Sequence, residues 1–167
     1  LGLAVIFGML HVINFTHGAM FMLGALLSWA GLYYFELNYW VMLLLAPLVV
    51  GVFGIVLERL FLKRIYKLDY LYGLLLTLGL TLIIYGLAKE LVIADNVALH
   101  VNSIFIEGAP LDNTALVWWG ALCFGIQIYC DFSAYTDIAL GSGHLLGIEL
   151  PENFKTPYSA RSPQEFW

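Results

Sequence analysis

Charge is scarce in this chain. Only 11% of its 167 residues are charged, against about 25% in ordinary soluble domains, while 62% are hydrophobic and the mean hydropathy is +0.87. An aqueous globule cannot hide that much apolar surface, so lipid must be the solvent for much of the chain. Lys and Arg number seven, with a net charge of -5. Four of them are clustered at Arg59, Lys63, Arg64 and Lys67, and so few bases exclude a nucleic-acid binder. Cysteine is nearly absent. Cys123 and Cys130 lie seven apart in one apolar run, about 10 Å along a helix and too far for a disulfide, which makes them packing residues. His100 has no second ligand at metal spacing and reads as a surface histidine. No metal or cofactor is expected. There is no initiator Met and no cleavable signal with a basic flank, and Leu1–Phe7 is already mid-span in character, so a front-truncated chain is expected.

What is present is a series of apolar runs. Residues 1–13 are too short for the ~20 residues a spanning helix needs and read as a truncated span. Asn14-Phe15-Thr16-His17-Gly18 then breaks the run. Asn14 and His17 are one helical turn apart, and the break is either an interfacial turn or a polar functional site facing protein or a wet cavity. Spans follow at about 19–35, 40–57, 71–87 and 114–130. Pro47 lies inside the second, where it removes one backbone donor, and Trp40 opens it at an interface. The basic stripe from Arg59 to Lys67 marks a cytoplasmic end. Gly73, Gly79 and Gly86, with Thr77 and Thr81, offer small residues for close helix packing.

The first half resembles a known family. Ile13-Asn14-Phe15-Thr16-His17-Gly18, Met22-Leu23-Gly24-Ala25, Leu45-Ala46-Pro47-Leu48-Val49-Val50, Leu57-Glu58-Arg59 and Leu74-Leu75-Leu76-Thr77-Leu78-Gly79-Leu80 resemble, in order, the permeases of branched-chain amino-acid ABC importers. Thr16 departs from the usual Ala. The resemblance covers residues 1–86. It implies amino-acid import, with Asn14 and His17 near the translocation path. Its implied partners are a second permease, two cytoplasmic ATPases and a periplasmic binding protein. The loop such permeases dock on the ATPase has no counterpart here.

Beyond Gly86 the character changes. Residues 87–96 mix charge into apolar sequence and read as an interfacial helix ending near Asp95, followed by a polar loop over 99–113. After the span at 114–130, Asp131-Phe132-Ser133-Ala134-Tyr135-Thr136-Asp137 is dense in hydroxyls and acids. It is either a capped start for a helix over 134–140, ended by Gly141 and Gly143, or the polar wall of a reaction tunnel. Pro151, Pro157 and Pro163 make the tail a Pro-rich loop, and Ser162-Pro163-Gln164-Glu165 reads as a helix start.

These residues carry a second resemblance. Val92-Ile93-Ala94-Asp95-Asn96, the run from Gln127 to Asp137, Leu150-Pro151-Glu152-Asn153-Phe154, Pro157-Tyr158, Arg161-Ser162 and Glu165-Phe166-Trp167 resemble the membrane-bound O-acyltransferases, in their alginate O-acetyltransferase branch. Cys130, Ala134 and His144 depart from that pattern. The resemblance implies acyl transfer from an acyl donor to a polysaccharide hydroxyl, supported here by Gln127, Tyr129, Asp131, Ser133, Tyr135, Asp137, Glu152, Asn153 and Arg161. The family's catalytic histidine lies beyond Trp167, and His144 does not occupy its position, so no catalytic residue is assigned.

The expectation is therefore an all-α integral membrane protein of the bacterial inner membrane, with about four transmembrane helices plus a truncated first one, an interfacial helix and a Pro-rich C-terminal loop. Residues 1–86 and 87–167 form two partial segments with few contacts across Gly86. A transporter, an acyltransferase and an inactive chimeric reading frame are the three functional readings. The isolated chain is expected neither to import amino acids nor to transfer acyl groups.

Overall fold

The computed structural model describes residues 14–65, 68–106, 113–153, 157–162 and 164. The expected truncated span at 1–13 and half of the expected helix start at 162–165 lie outside them. The described residues are helical, with five main helices: α1 (Thr16–Tyr33), α2 (Tyr39–Leu57), α3 (Tyr70–Ala88), α4 (Asp95–Phe105) and α5 (Thr114–Leu146). Short polar residues start four of them by accepting orphan backbone N–H groups. Asn14 Oδ1 accepts from Thr16 at 2.9 Å and Asn38 Oδ1 from Trp40 at 3.0 Å. Asp69 Oδ1 accepts from Leu71 at 3.3 Å, and Asn113 Oδ1 from Ala115 at 3.2 Å. Gly147, with φ at 72°, closes α5 in the left-handed conformation that glycine adopts freely.

Two helices run on through π-helical turns. Glu58–Leu62 and Lys63–Ile65 prolong α2, and Lys89–Ala94 joins α3 to α4. Three helical rods among the described residues are long and apolar enough to cross a membrane: Tyr39–Ile65, Leu71–Phe105 and Thr114–Leu146. The multi-pass, all-α membrane class follows. The stretch expected as a span at 19–35 is helical as α1, two residues shorter at its end and three longer at its start, with Thr16 and His17 in its first turn, but it is not among those three rods.

The second half differs from expectation in two places. No separate interfacial helix ends near Asp95, because 89–105 continues α3 as one rod, and the loop predicted from residue 99 is helical through Phe105. Nor is there a new helix start at Asp131 or Ser133. α5 passes straight through them, and Gly141 and Gly143 are buried inside it rather than terminating it. Glycine ends a helix where its φ turns positive, and among the described glycines only Gly147 does so.

Packing sets the directions. Thr16 lies on Thr77, and Leu23, Trp29 and Tyr34 lie beside Ile84, Leu87 and Leu91, so α1 and α3 are parallel. α2 returns antiparallel, with Met42 against Gly31 and Val50 against Gly24. α5 is antiparallel to α3. A Cβ built on Gly79 would lie 2.7 Å from the Gly141 carbonyl oxygen, and one on Gly86 would lie 2.7 Å from that of Ala134. Two small residues seven apart on each helix thus form one seam. Farther along, Gly120 of α5 receives the ring of Phe105. The expectation of few contacts across Gly86 fails, since α3 has its most extensive packing with α5.

Exposed Arg59, Lys63 and Arg64 mark one end of the α1–α2 hairpin, and exposed Trp29, Tyr33, Tyr34, Tyr39 and Trp40 mark the other. From Trp40 to Lys63 a helix rises about 35 Å, close to the ~30 Å of a hydrocarbon core. The long hairpin does not fit that frame as well. α5 has 33 residues, about 50 Å. Its polar half, 131–146, lies beside the apolar α3, and its apolar half, 114–130, lies beside the more polar 89–105.

Candidate functional site

Helices brought together by Gly79, Gly86, Ala134 and Gly141 hold their neighbouring side chains within reach of one another. Lys89 is three residues past Gly86, and Ser133 and Asp137 flank Ala134. Lys89 Nζ donates to Asp137 Oδ2 at 2.5 Å and to Ser133 Oγ at 2.8 Å. The side chains of Lys89 and Asp137 are 33% and 19% exposed, and Ser133 is buried. Because α3's end is level with Trp29 and Tyr34, the pair lies near the aromatic end of the bundle. A half-buried ion pair is costly unless its partners are fixed, as they are here. Sequence reading passed over Lys89. The signal was available, since it is the single basic residue between Lys67 and Lys155.

The sequence-predicted residues divide by face. Ser133 and Asp137 point to α3, while Asp131 and Tyr135 are exposed on other faces of α5, Tyr135 at 70%. Gln127 buries an Oε1 that finds no hydrogen-bond partner among the described residues. Tyr129 meets the ring of Tyr158 at 5.6 Å, and Tyr158 donates its hydroxyl to the Gly125 carbonyl at 2.5 Å. Glu152, Asn153 and Arg161 are exposed in the tail. α5 ends at Leu146 and Tyr158 reaches Gly125, so the chain returns along α5 for about 30 Å. Residues 148–153 of that return are not helical. Non-helical backbone at membrane depth is tolerated only against protein or water, so this face of α5 is not a lipid face.

Asn14 and His17 are brought together, but in a local role. His17 Nδ1 meets the Asn14 carbonyl oxygen at 3.1 Å, and Asn14 Oδ1 holds the first N–H of α1. The deeper polar feature is Thr77, fully buried, whose carbonyl oxygen accepts from Thr16 Oγ1 at 3.2 Å and Thr81 Oγ1 at 2.7 Å. His100 is exposed. His144 packs beside Gly79 in the seam. No group of three metal-ligating side chains occurs among the described residues. Cys123 and Cys130 are free and buried, as packing residues should be.

Chemically, the Lys89 cluster is a matched charge and not an activated nucleophile. Lys89 Nζ is the donor to both Ser133 Oγ and Asp137 Oδ2, so in this arrangement the lysine holds the hydroxyl in place.

A family profile described as the permease component of the branched-chain amino acid transport system matches residues 1–126. The chain belongs to that permease family. The profile spans α1 to α4 and the first part of α5. The chain also resembles curated acyl-transfer proteins. It is 40% identical to the probable alginate O-acetylase of Pseudomonas syringae pv. tomato over 89 residues, covering 53% of this chain and 17% of that protein. It is 40% identical to the peptidoglycan O-acetyltransferase of Helicobacter pylori over 92 residues, 55% of this chain and 17% of that protein. A more distant likeness, 28% over 102 residues, is to the teichoic acid D-alanyltransferase of Bacillus subtilis, covering 58% of this chain and 24% of that protein. The chain thus spans about a sixth of the first relatives. No solved structure matches it.

Proposed function

We propose that the chain is a membrane-embedded segment of a branched-chain amino-acid importer, with the α1–α3 bundle contributing to the wall of the translocation path in the bacterial inner membrane. The observation that supports this is the buried cluster of hydroxyls around the Thr77 carbonyl. Inside an otherwise aliphatic bundle that lies wholly within the family match, Thr16 and Thr81 converge on the Thr77 carbonyl. Threonines in membrane helices serve close packing as well as pathways, and the uptake test separates the two. Asn14 and His17 lie at the end of the same bundle and are its candidate path residues. A second permease, cytoplasmic ATPases and a periplasmic binding protein would complete the importer. The test is uptake of labelled leucine by cells that lack their own importer and co-express this chain with those partners. Thr16→Val, which removes a hydroxyl from that carbonyl, should cut uptake severalfold at unchanged expression; uptake equal to that of cells without the chain would end the proposal.

A second reading rests on different residues. The Lys89–Ser133–Asp137 cluster and the non-lipid face of α5 lie in the segment 87–167, which carries the acyltransferase-like motif residues. In that reading the cluster fixes the wall of an acyl-transfer site, with an acyl donor and a polysaccharide acceptor as substrates. Acetyl transfer to polysaccharide by the intact chain, lost in His144→Ala, would favour it and make His144 the base. Absence of turnover in both would favour a chimera of two partial segments, 1–86 and 87–167. Against that division stand the close α3–α5 seam and the family match that continues across Gly86 to residue 126.

A further inference from the structure

We infer that the groove between α1, α2 and α3 holds one acyl chain of a phospholipid whose head group carries an amine, bound at the aromatic end. The groove encloses about 370 Å³, and its walls include Leu23, Leu27, Phe53, Ile84, Leu87 and Leu91. Trp29 and Tyr34 also line it, and they place its mouth at the end away from Arg59, Lys63 and Arg64. The occupant of an apolar, open groove at that depth is an acyl chain, because the hydrocarbon core is what surrounds it.

The head group is chosen by what stands at the mouth. Trp29 and Tyr33 stack at 5.4 Å, and Tyr34 meets both edge-on at 5.6 and 5.0 Å. The three rings are exposed, and such rings attract an ammonium through their faces. Two residues on, Glu36 is exposed in the turn that closes α1. No Lys or Arg occurs before Arg59. From α3, the nearest cation is Lys89, which is engaged by Asp137 and Ser133, while Glu90 and Asp95 are exposed. The surface is therefore acidic and aromatic, matched to ammonium and opposed to an anionic head group.

The backbone adds to this. Leu37 N–H bonds the Gly31 carbonyl, six residues back, at 3.0 Å and closes the turn after α1, where a residue of positive φ is usually Gly. Here that residue is Glu36, at φ 50°. A conformation that disfavours side chains is occupied by the one carboxylate of the turn.

The experiment is native mass spectrometry of the intact chain released from nanodiscs of equimolar phosphatidylethanolamine and phosphatidylglycerol. The ethanolamine lipid should be retained about fivefold over the glycerol lipid, the scale of one exposed cation–π contact. Glu36→Gln and Trp29→Leu should each move that ratio toward one. Ala88→Phe, which fills the groove, should reduce both adducts together. Glu36→Gln lies in an exposed turn, so it keeps the test decisive if Trp29→Leu does not fold. Equal retention of the two lipids by the unaltered chain overturns the inference, as does an unchanged ratio in Glu36→Gln or undiminished lipid in Ala88→Phe.

Discussion

Gly79 and Gly141 meet backbone to backbone. A Cβ on Gly79 would lie 2.7 Å from the Gly141 carbonyl oxygen, and one on Gly141 would lie 2.5 Å from that of Gly79. Neither obstacle is a flexible side chain that could swing away, so the helices themselves would have to separate.

Gly79→Ala should therefore destabilise the chain by about 1–3 kcal/mol, the usual scale for overpacking. Gly73 is on the same helix with nothing within 4 Å of its position, and Gly73→Ala should be neutral or slightly stabilising. Thermal unfolding in bilayers, followed by helical circular dichroism, compares the two. Equal effects would mean that the seam does not hold α3 to α5.

The Lys89–Asp137 pair calls for a double-mutant cycle. Lys89→Met alone strands a carboxylate that is 19% exposed and should cost about 1–3 kcal/mol, with Asp137→Leu similar. Together they should cost less than either alone, because a matched apolar pair replaces a desolvated ionic one. Strict additivity of the two single effects would show that the pair contributes no coupling.

Orientation follows from the basic stripe. Lys63→Cys in intact cells should resist an impermeant thiol reagent added outside and react once the membrane is opened. Labelling from outside would invert the topology.

Glu36→Gly separates stability from recognition. Glycine adopts φ 50° without strain, so the substitution should raise stability by about 1 kcal/mol. It should also abolish the preference for the ethanolamine lipid. A variant that is more stable and keeps the preference would remove Glu36 from lipid recognition.

The starts of the apolar helices were legible because their signals are local. Asn38, Asp69 and Asn113 each sit just before an apolar run and cap it. The course of α5 beyond Cys130 was not legible. Acids and hydroxyls suggested a break, but Ser133 and Asp137 face α3, and their partner Lys89 is 44 and 48 residues away. Gly141 reads locally as a helix stop, yet it serves close approach, a property of the neighbouring helix that one strand of sequence cannot display. Asn14 and His17 were expected to share a helical face, but Asn14 lies ahead of α1. Their observed contacts with each other and with the start of α1 are those of a helix cap.

The length of the α3–α5 hairpin bears on how the protein should be handled. A detergent micelle adjusts its height and can coat a rod of about 50 Å from end to end, whereas a bilayer offers ~30 Å of hydrocarbon. In micelles, Trp118, Trp119 and Leu122, all more than half exposed, would be covered together with the α1–α2 surface. In a bilayer one of the two sets is left to water. Solubilised preparations would then look better behaved than the same chain in its membrane, and a mixed population on reconstitution would be the sign of it.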